Sequence, residues 1–173
     1  TRAEPFAAHP HAFVAPIDHP LLRLEHLTVN QLQGHDFIVR ERGSGTRAAM
    51  EKFLEPHRME PRVVMEMTSN ETIKQAVMAG LGLSFLSLHT IGLELEHKLI
   101  AVLDVEGTPI VRAWNVAHTL SKLLSPAAEA FRYFMLERAE SHLADKYGRL
   151  LRLPVADNGK SQGIFHHEHV LVS

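Results

Sequence analysis

Apolar and polar positions along this chain fall into short blocks whose period keeps changing. Phe13-Val14-Ala15-Pro16 is an apolar run that predicts a strand ending at the proline, with Asp18-His19-Pro20-Leu21-Leu22 as the turn after it. Residues 28–34 are a polar connection with room for one helical turn. Phe37-Ile38-Val39 is the short apolar run of a strand buried on both faces, and Gly43 and Gly45 interrupt it before a stretch of good helix formers. A helix is therefore expected from about Thr46 to Pro56, with Ala49, Met50, Phe53 and Leu54 on one face. Arg62 to Met67 has the β-branched content of another strand. Thr68-Ser69-Asn70-Glu71 then fits a capping box opening a helix whose buried stripe is Ile73, Ala76 and Val77.

Gly80 is placed to end that helix in the left-handed conformation, and Gly82 turns the chain into the strand Leu83 to Leu86. A weak helix broken by Gly92 is expected over Leu88 to Leu95, then a strand at Leu99 to Leu103. After the turn at Gly107-Thr108-Pro109, Ile110 to Ala117 reads as a strand with Arg112 and Asn115 on different faces. Ser125 and Pro126 supply an N-cap and first-turn proline for a helix running to about Tyr147, with Ala128, Phe131, Met135 and Ala139 along one stripe. From Arg149 an extended tail is expected. Strands thus alternate with helices, the rhythm of a parallel α/β sheet with ligands at the carboxyl ends of its strands. No internal repeat or low-complexity segment interrupts it.

Two of those strand ends carry small polar residues at the mouth of a helix: Gly43-Ser44-Gly45-Thr46 and Thr68-Ser69-Asn70. Free backbone N–H groups, hydroxyls and the positive end of a helix dipole make such a place ready for a phosphate or carboxylate. The same residues also read as simple helix caps, and spacing alone does not choose. The motif is neither a Walker loop, which would need a lysine at the right offset, nor a dinucleotide fingerprint.

Composition narrows the classes. A chain of 173 residues, 45% of them hydrophobic, can bury one good core or two small lobes. No apolar run is long enough to cross a bilayer, and the first residues have neither the basic start nor the apolar centre of a signal peptide, so no membrane association and a cytoplasmic location are expected. With no cysteine there is no disulfide, thiol catalysis or thiolate metal site. A formal charge of −2 argues against a nucleic-acid surface on the chain itself. The 13 histidines invite a metal reading, above all His166, His167 and His169 with Glu168, but a solvated tail is the plainer account and no metal or other cofactor is expected. His9, His11 and His19 are taken as surface residues, with pH sensing as the alternative. Glu94 to Lys98 reads as a solvated helix end. Ser44 and Ser69 have no base nearby in sequence and no nucleophile elbow surrounds them, so an enzyme is not expected.

The order Ala15-Pro16, Asp18-His19-Pro20-Leu21, Phe37-Ile38, Arg40-Glu41, Gly43 to Arg47, Ser69 to Ile73 with Val77, Ala79 to Leu83, and Leu124 to Ala128 with Phe131 resembles the effector-binding region of LysR-type transcriptional regulators, and among them the regulators of Calvin-cycle carbon-fixation operons. The resemblance runs from about Glu4 to Leu136. It implies a type 2 periplasmic-binding-protein-like α/β fold of two lobes with the first incomplete. Residues 1–15 and 109–148 would be the remnant of the first lobe, 16–108 the second, and 149–173 a C-terminal extension beyond the usual family end. The family's winged helix-turn-helix, linker helix and opening strand-helix-strand are absent, so the chain is expected to be a fragment.

The resemblance also implies an effector between the lobes at Ser44, Gly45, Thr46 and Arg47 and at Thr68, Ser69 and Asn70, with a hinge at Ala15, Pro16 and Arg112. The expected partner is a small anionic metabolite: a phosphorylated sugar, a nucleotide or a carboxylate. The full-length protein would be a homodimer or homotetramer, touching DNA only through its missing domain. The alternatives are a free-standing solute-binding protein and, further off, an enzyme acting on a phosphorylated metabolite.

Overall fold

The computed structural model describes residues 1–121 and 123–151, with α4 running to Leu151 and so into the expected tail. The histidines at 166, 167 and 169 lie outside the described residues. In chain order the elements are β1 (Arg2–Pro16), β2 (Asp36–Arg40), α1 (Gly45–Leu54), β3 (Arg62–Met67), α2 (Asn70–Met78), β4 (Ser84–Ser87), α3 (Gly92–Glu96), β5 (Ile100–Val102), β6 (Ile110–His118) and α4 (Pro126–Leu151). Short 3-10 turns cover Pro20–Arg23, Val29–Leu32, Glu55–His57 and Leu88–Thr90.

β2 and β3 pair in parallel, and β2 reaches β4 through a parallel bridge in which Ile38 N donates to Leu83 O and Leu83 N to Asp36 O, both at 2.8 Å. The parallel sheet expected from the alternation of elements stops there. β1 runs antiparallel to β4, β5 and β6, giving the mixed order β3-β2-β4-β1-β5 with β6 on the remaining length of β1. Which way a strand pairs is decided by its distant partners and leaves no trace in its own period.

Alternate residues of the central strands face opposite layers, as pleating requires. Phe13, Ala15, Phe37, Val39, Leu83 and Phe85 pack with Met50 and Leu54 of α1. Ala12, Val14, Ile38 and Leu86 pack with Ile73, Ala76 and Val77 of α2. So Phe37, Ile38 and Val39 are all buried, two toward one helix and one toward the other.

β1 is far longer than the predicted Phe13–Pro16. Pro5 and Pro10 disguise its first half, yet there β1 pairs only with β6, so a missing N–H removes no bond on a second side. A register shift lies between Pro5 and Ala7. α4 packs against β1, where Arg132 bonds Glu4 and Glu129. The Ser125 hydroxyl accepts from Ala128 N at 3.3 Å, the expected cap.

Two local expectations are corrected. The cap of α2 is Ser69, whose Oγ accepts from Thr72 N, so the capping box drawn from Thr68 to Glu71 is out of register by one residue. And Glu94 is no solvated helix end: its side chain is 12% exposed and bonds Lys74, itself 6% exposed, which also bonds Glu71 and the Thr90 carbonyl. Lys74 thus ties α2 to α3 from within.

Candidate functional site at the first turn of α1

α1 opens where β2 ends. Ser44 has an extended backbone, and its Oγ accepts from Thr46 N at 3.2 Å. Gly43 takes the turn at φ +91°, a conformation that side chains other than glycine adopt at a cost. The amides of Gly45 and Arg47 have no helical acceptor, being in the first turn. A shallow cavity of about 400 Å³ beside them is lined by Arg42, Gly43, Ser44, Arg47, Ala48 and Glu51.

The second strand end lies beside the first because β2 and β3 are neighbours. Glu41 N donates to Met67 O, and Arg40 Nη1 donates to Asn70 Oδ1 at 2.8 Å. The rest of the Arg40 fork holds both carboxylate oxygens of Glu41, which keeps that carboxyl below its usual range. Thr68 and Ser69 are exposed, and Ser69 caps α2.

Among the expected site residues Arg47 is already engaged. Its Nε donates to Glu51 at 2.7 Å and its Nη1 to Glu66 at 2.6 Å, and the side chain is 11% exposed. Arg112, assigned from sequence to the hinge, arrives instead. A Cβ placed on Gly45 would stand 3.2 and 3.3 Å from the two Nη atoms of Arg112, so the guanidinium of β6 lies directly on the first residue of α1. Among the described residues the side chains of Arg112 and Arg42 have no carboxylate partner, although Arg42 N donates to Glu66 Oε1 at 3.4 Å. A cation laid against the positive end of a helix, with no acid to balance it, is an arrangement suited to an anion.

Of the three histidines taken as surface residues, His9 and His11 lie beside Arg112 and inside, and His19 is half-buried elsewhere against His35. His11 is fully buried and His9 partly so, and their ring centroids are 4.3 Å apart. Trp114 lies 4.3 Å from His9 and 5.1 Å from His89. This cluster was missed because only the pairing of β1 with β6 assembles it. The other inferred hinge residues, Ala15 and Pro16, are buried at the end of β1 opposite β5. No group of metal-binding geometry occurs among the described residues, and none of their helices is long and apolar enough to cross a membrane.

A mixed sheet with helices on both faces, crossed by a long strand, is the α/β fold of a type 2 periplasmic-binding-protein-like regulatory domain. The model of the LysR substrate binding domain matches residues 1–140, and the chain belongs to that family. It is 50% identical over 149 residues to the HTH-type transcriptional regulator CfxR of Cupriavidus necator, covering 86% of this chain and 47% of that one. It is 49% identical over 137 residues to the RuBisCO operon transcriptional regulator of Allochromatium vinosum, covering 79% and 45%. The chain therefore spans about half the length of the curated relatives it matches. The solved regulatory domain of Synechocystis PCC6803 CcmR, in complex with 2-PG, superposes with a TM-score of 0.74 at 37% identity, covering 78% of this chain and 65% of that one. These relatives are transcription regulators rather than enzymes, and the chain is related to those of the carbon-fixation operons.

Proposed function

We propose that this chain senses a small anionic metabolite for a LysR-type regulator of carbon-fixation genes, inside the cell, and that the anion sits between the first turn of α1 and Arg112. The observation that carries this reading is the Arg112 guanidinium, without a carboxylate partner among the described residues, laid on Gly45 at the helix mouth. Gly45 and Arg47 contribute backbone N–H groups, Ser44 and Thr46 contribute hydroxyls, and the Thr68-to-Asn70 end lies alongside through the Arg40–Asn70 bond. The Arg47 side chain acts as a strut between Glu51 and Glu66. The ligand recorded with the Synechocystis CcmR regulatory domain, 2-PG, gives the first probe to try.

Residues 16–108 are read as one lobe, and 1–15 with 109–148 as part of another. The support is that the first part of β1 runs on beyond β4 and β5 to pair with β6, where it packs against α4. An anion bridging Arg112 on β6 and the mouth of α1 contacts both sides of that division, so it favours whichever inter-lobe angle brings them together. In a homodimer or homotetramer of the whole regulator, that angle alters how a DNA-binding segment outside this chain is presented.

Thr46→Val removes one hydroxyl donor and keeps the shape. Titration calorimetry with 2-PG, and with inorganic phosphate as control, is expected to show binding weakened by roughly 1 to 3 kcal/mol, about 5- to 150-fold in Kd, with the melting temperature unchanged. Unaltered affinity in the variant rejects the site.

A further inference from the structure

One face of the β1–β6 ribbon continues the α1 side of the core. His9, His11 and Phe13 alternate on β1, and Phe13 belongs to the α1 layer. The register sets Arg112 opposite His9 and Trp114 opposite Ala7, so both β6 side chains share that face, and the turn at Leu88–Thr90 adds His89. His11 stacks on Phe85 at 5.7 Å. Its Nδ1 lies 3.0 Å from the His9 carbonyl, which can only accept, so Nδ1 carries the hydrogen and Nε2 of the neutral ring is a bare acceptor. The Nε2 atoms of His9 and His11 are buried without a hydrogen-bond partner. Such nitrogens are uncommon in a folded core and call for a role.

Among the described residues no carboxylate acts on either ring. β1 contributes only the two rings themselves, β6 contributes Arg112, the 88–90 turn contributes His89, β4 contributes the uncharged Phe85 and Ser87, and α1 turns its positive end toward Arg112. We propose that His9 and His11 form a proton-accepting wall of the effector site: an anion held by Arg112 at the mouth of α1 enters together with one proton, which turns a bare ring nitrogen into an N–H donor. The charge count then selects the ligand class. One guanidinium and one imidazolium together balance a phosphate-like dianion, whereas a monocarboxylate is already balanced by Arg112 alone and draws in no proton. The inference rests on the anion site proposed above.

The direction of the linkage follows from the cluster. Burial first, then repulsion from His11, His89 and Arg112, pushes His9 down to about 3. Burial pushes His11 down to about 4, against the bond to the His9 carbonyl and with Arg112 and His89 adding to it. Negative charge against Arg112 offsets the repulsion and raises both.

The test uses the full 173-residue chain and inorganic sulphate, a dianion that does not titrate in the range examined. Histidine ring resonances are followed by NMR from pH 7 to pH 5 with and without saturating sulphate, while the Gly45 and Thr46 amides report occupancy of the helix mouth. Without sulphate both rings stay neutral over this range. With it the titration of the rings is expected to move up by about one pH unit or more, so that protonation of His11 begins within this range, and sulphate affinity to rise on acidification by a total of about tenfold for each unit by which a ring's titration moves. That gain should vanish in a His9→Gln/His11→Gln double variant. Amides that respond while the rings do not move overturn the proton-accepting wall and leave the anion site standing. Amides that never respond overturn both. Should the double variant fail to fold, the ring titration of the parent chain still decides.

Discussion

Gly45→Ala separates the helix from the ligand, because the two respond with opposite sign. Gly45 is the first residue of α1 and is not in the left-handed region, so its backbone accepts alanine without strain. Replacing a helical glycine by alanine gains at most about 1 kcal/mol in a helix interior, and about half of that is a fair expectation at a first turn. The new Cβ would meet Arg112 Nη2 at 3.2 Å and Nη1 at 3.3 Å, closer than an ordinary carbon–nitrogen contact. What must give is the far end of a long side chain with no acidic partner among the described residues, so the guanidinium moves by a few tenths of an ångström at little cost to the fold. An anion between Arg112 and the helix mouth does feel that move. A charge-assisted hydrogen bond contributes about 1.5 to 3 kcal/mol, and displacing the donor rather than deleting it forfeits about half, roughly a 3- to 10-fold rise in Kd. Thermal denaturation and calorimetry with 2-PG on the same preparation are the assay. The expected pair of results is an equal or higher melting temperature with weaker binding. A variant that is less stable yet binds as well as the parent refutes the reasoning, since the glycine would then serve the backbone and Arg112 would stand outside the site.

The buried cation of α2 gives a stability contrast: Lys74→Ala leaves the carboxylate of Glu94 buried without its partner and is expected to cost about 3 kcal/mol, while Glu71→Ala, at the exposed end of the same network, costs less than about 1 kcal/mol. Urea denaturation of the two variants decides, and equal losses would remove the buried pair from the account. Acid should weaken the fold through His11. Its unfolded value is about 6.5 and its folded value about 4, so the unfolded chain takes up the proton first. The contribution is whole above pH 6.5 and is lost as pH falls toward 4, to a total of about 3 kcal/mol. His9 adds a smaller amount because it is partly exposed. Melting temperatures recorded from pH 7 to 5 should fall more steeply in the parent than in His11→Gln, and parallel slopes would contradict the assignment.

The sequence is most legible where one element carries its own evidence. Phe37-Ile38-Val39 spells a strand buried on both sides, Ser44 and Ser125 stand at the starts of α1 and α4, and Arg62 to Met67 forms the strand its β-branched residues suggest. Reading failed where two distant stretches meet. Pro5 and Pro10 hid the first half of β1 because proline forbids a strand only where a neighbour needs its N–H, and no single stretch says where neighbours are. Glu94 read as part of a solvated helix end because nothing in its own segment shows that α2 brings Lys74 to it. Arg112 and Gly45 are far apart in the chain, and nothing in either segment announces that one guanidinium rests on that glycine. The helix mouths could thus be named from sequence, but the charge facing one of them could not.

How this molecule can bend is set by β1. β1 has no loop between the end that pairs with β6 beside α4 and the end buried between β4 and β5; it is one strand of 15 residues with a single irregularity between Pro5 and Ala7. A strand paired along its length resists folding at a point, whereas two-stranded ribbons tolerate a wide range of twist. Motion between its ends is therefore expected to include a winding or unwinding of the β1–β6 ribbon. Because Arg112 and His9 stand opposite each other on that ribbon, a change in its winding is felt first by the pair of side chains nearest the mouth of α1.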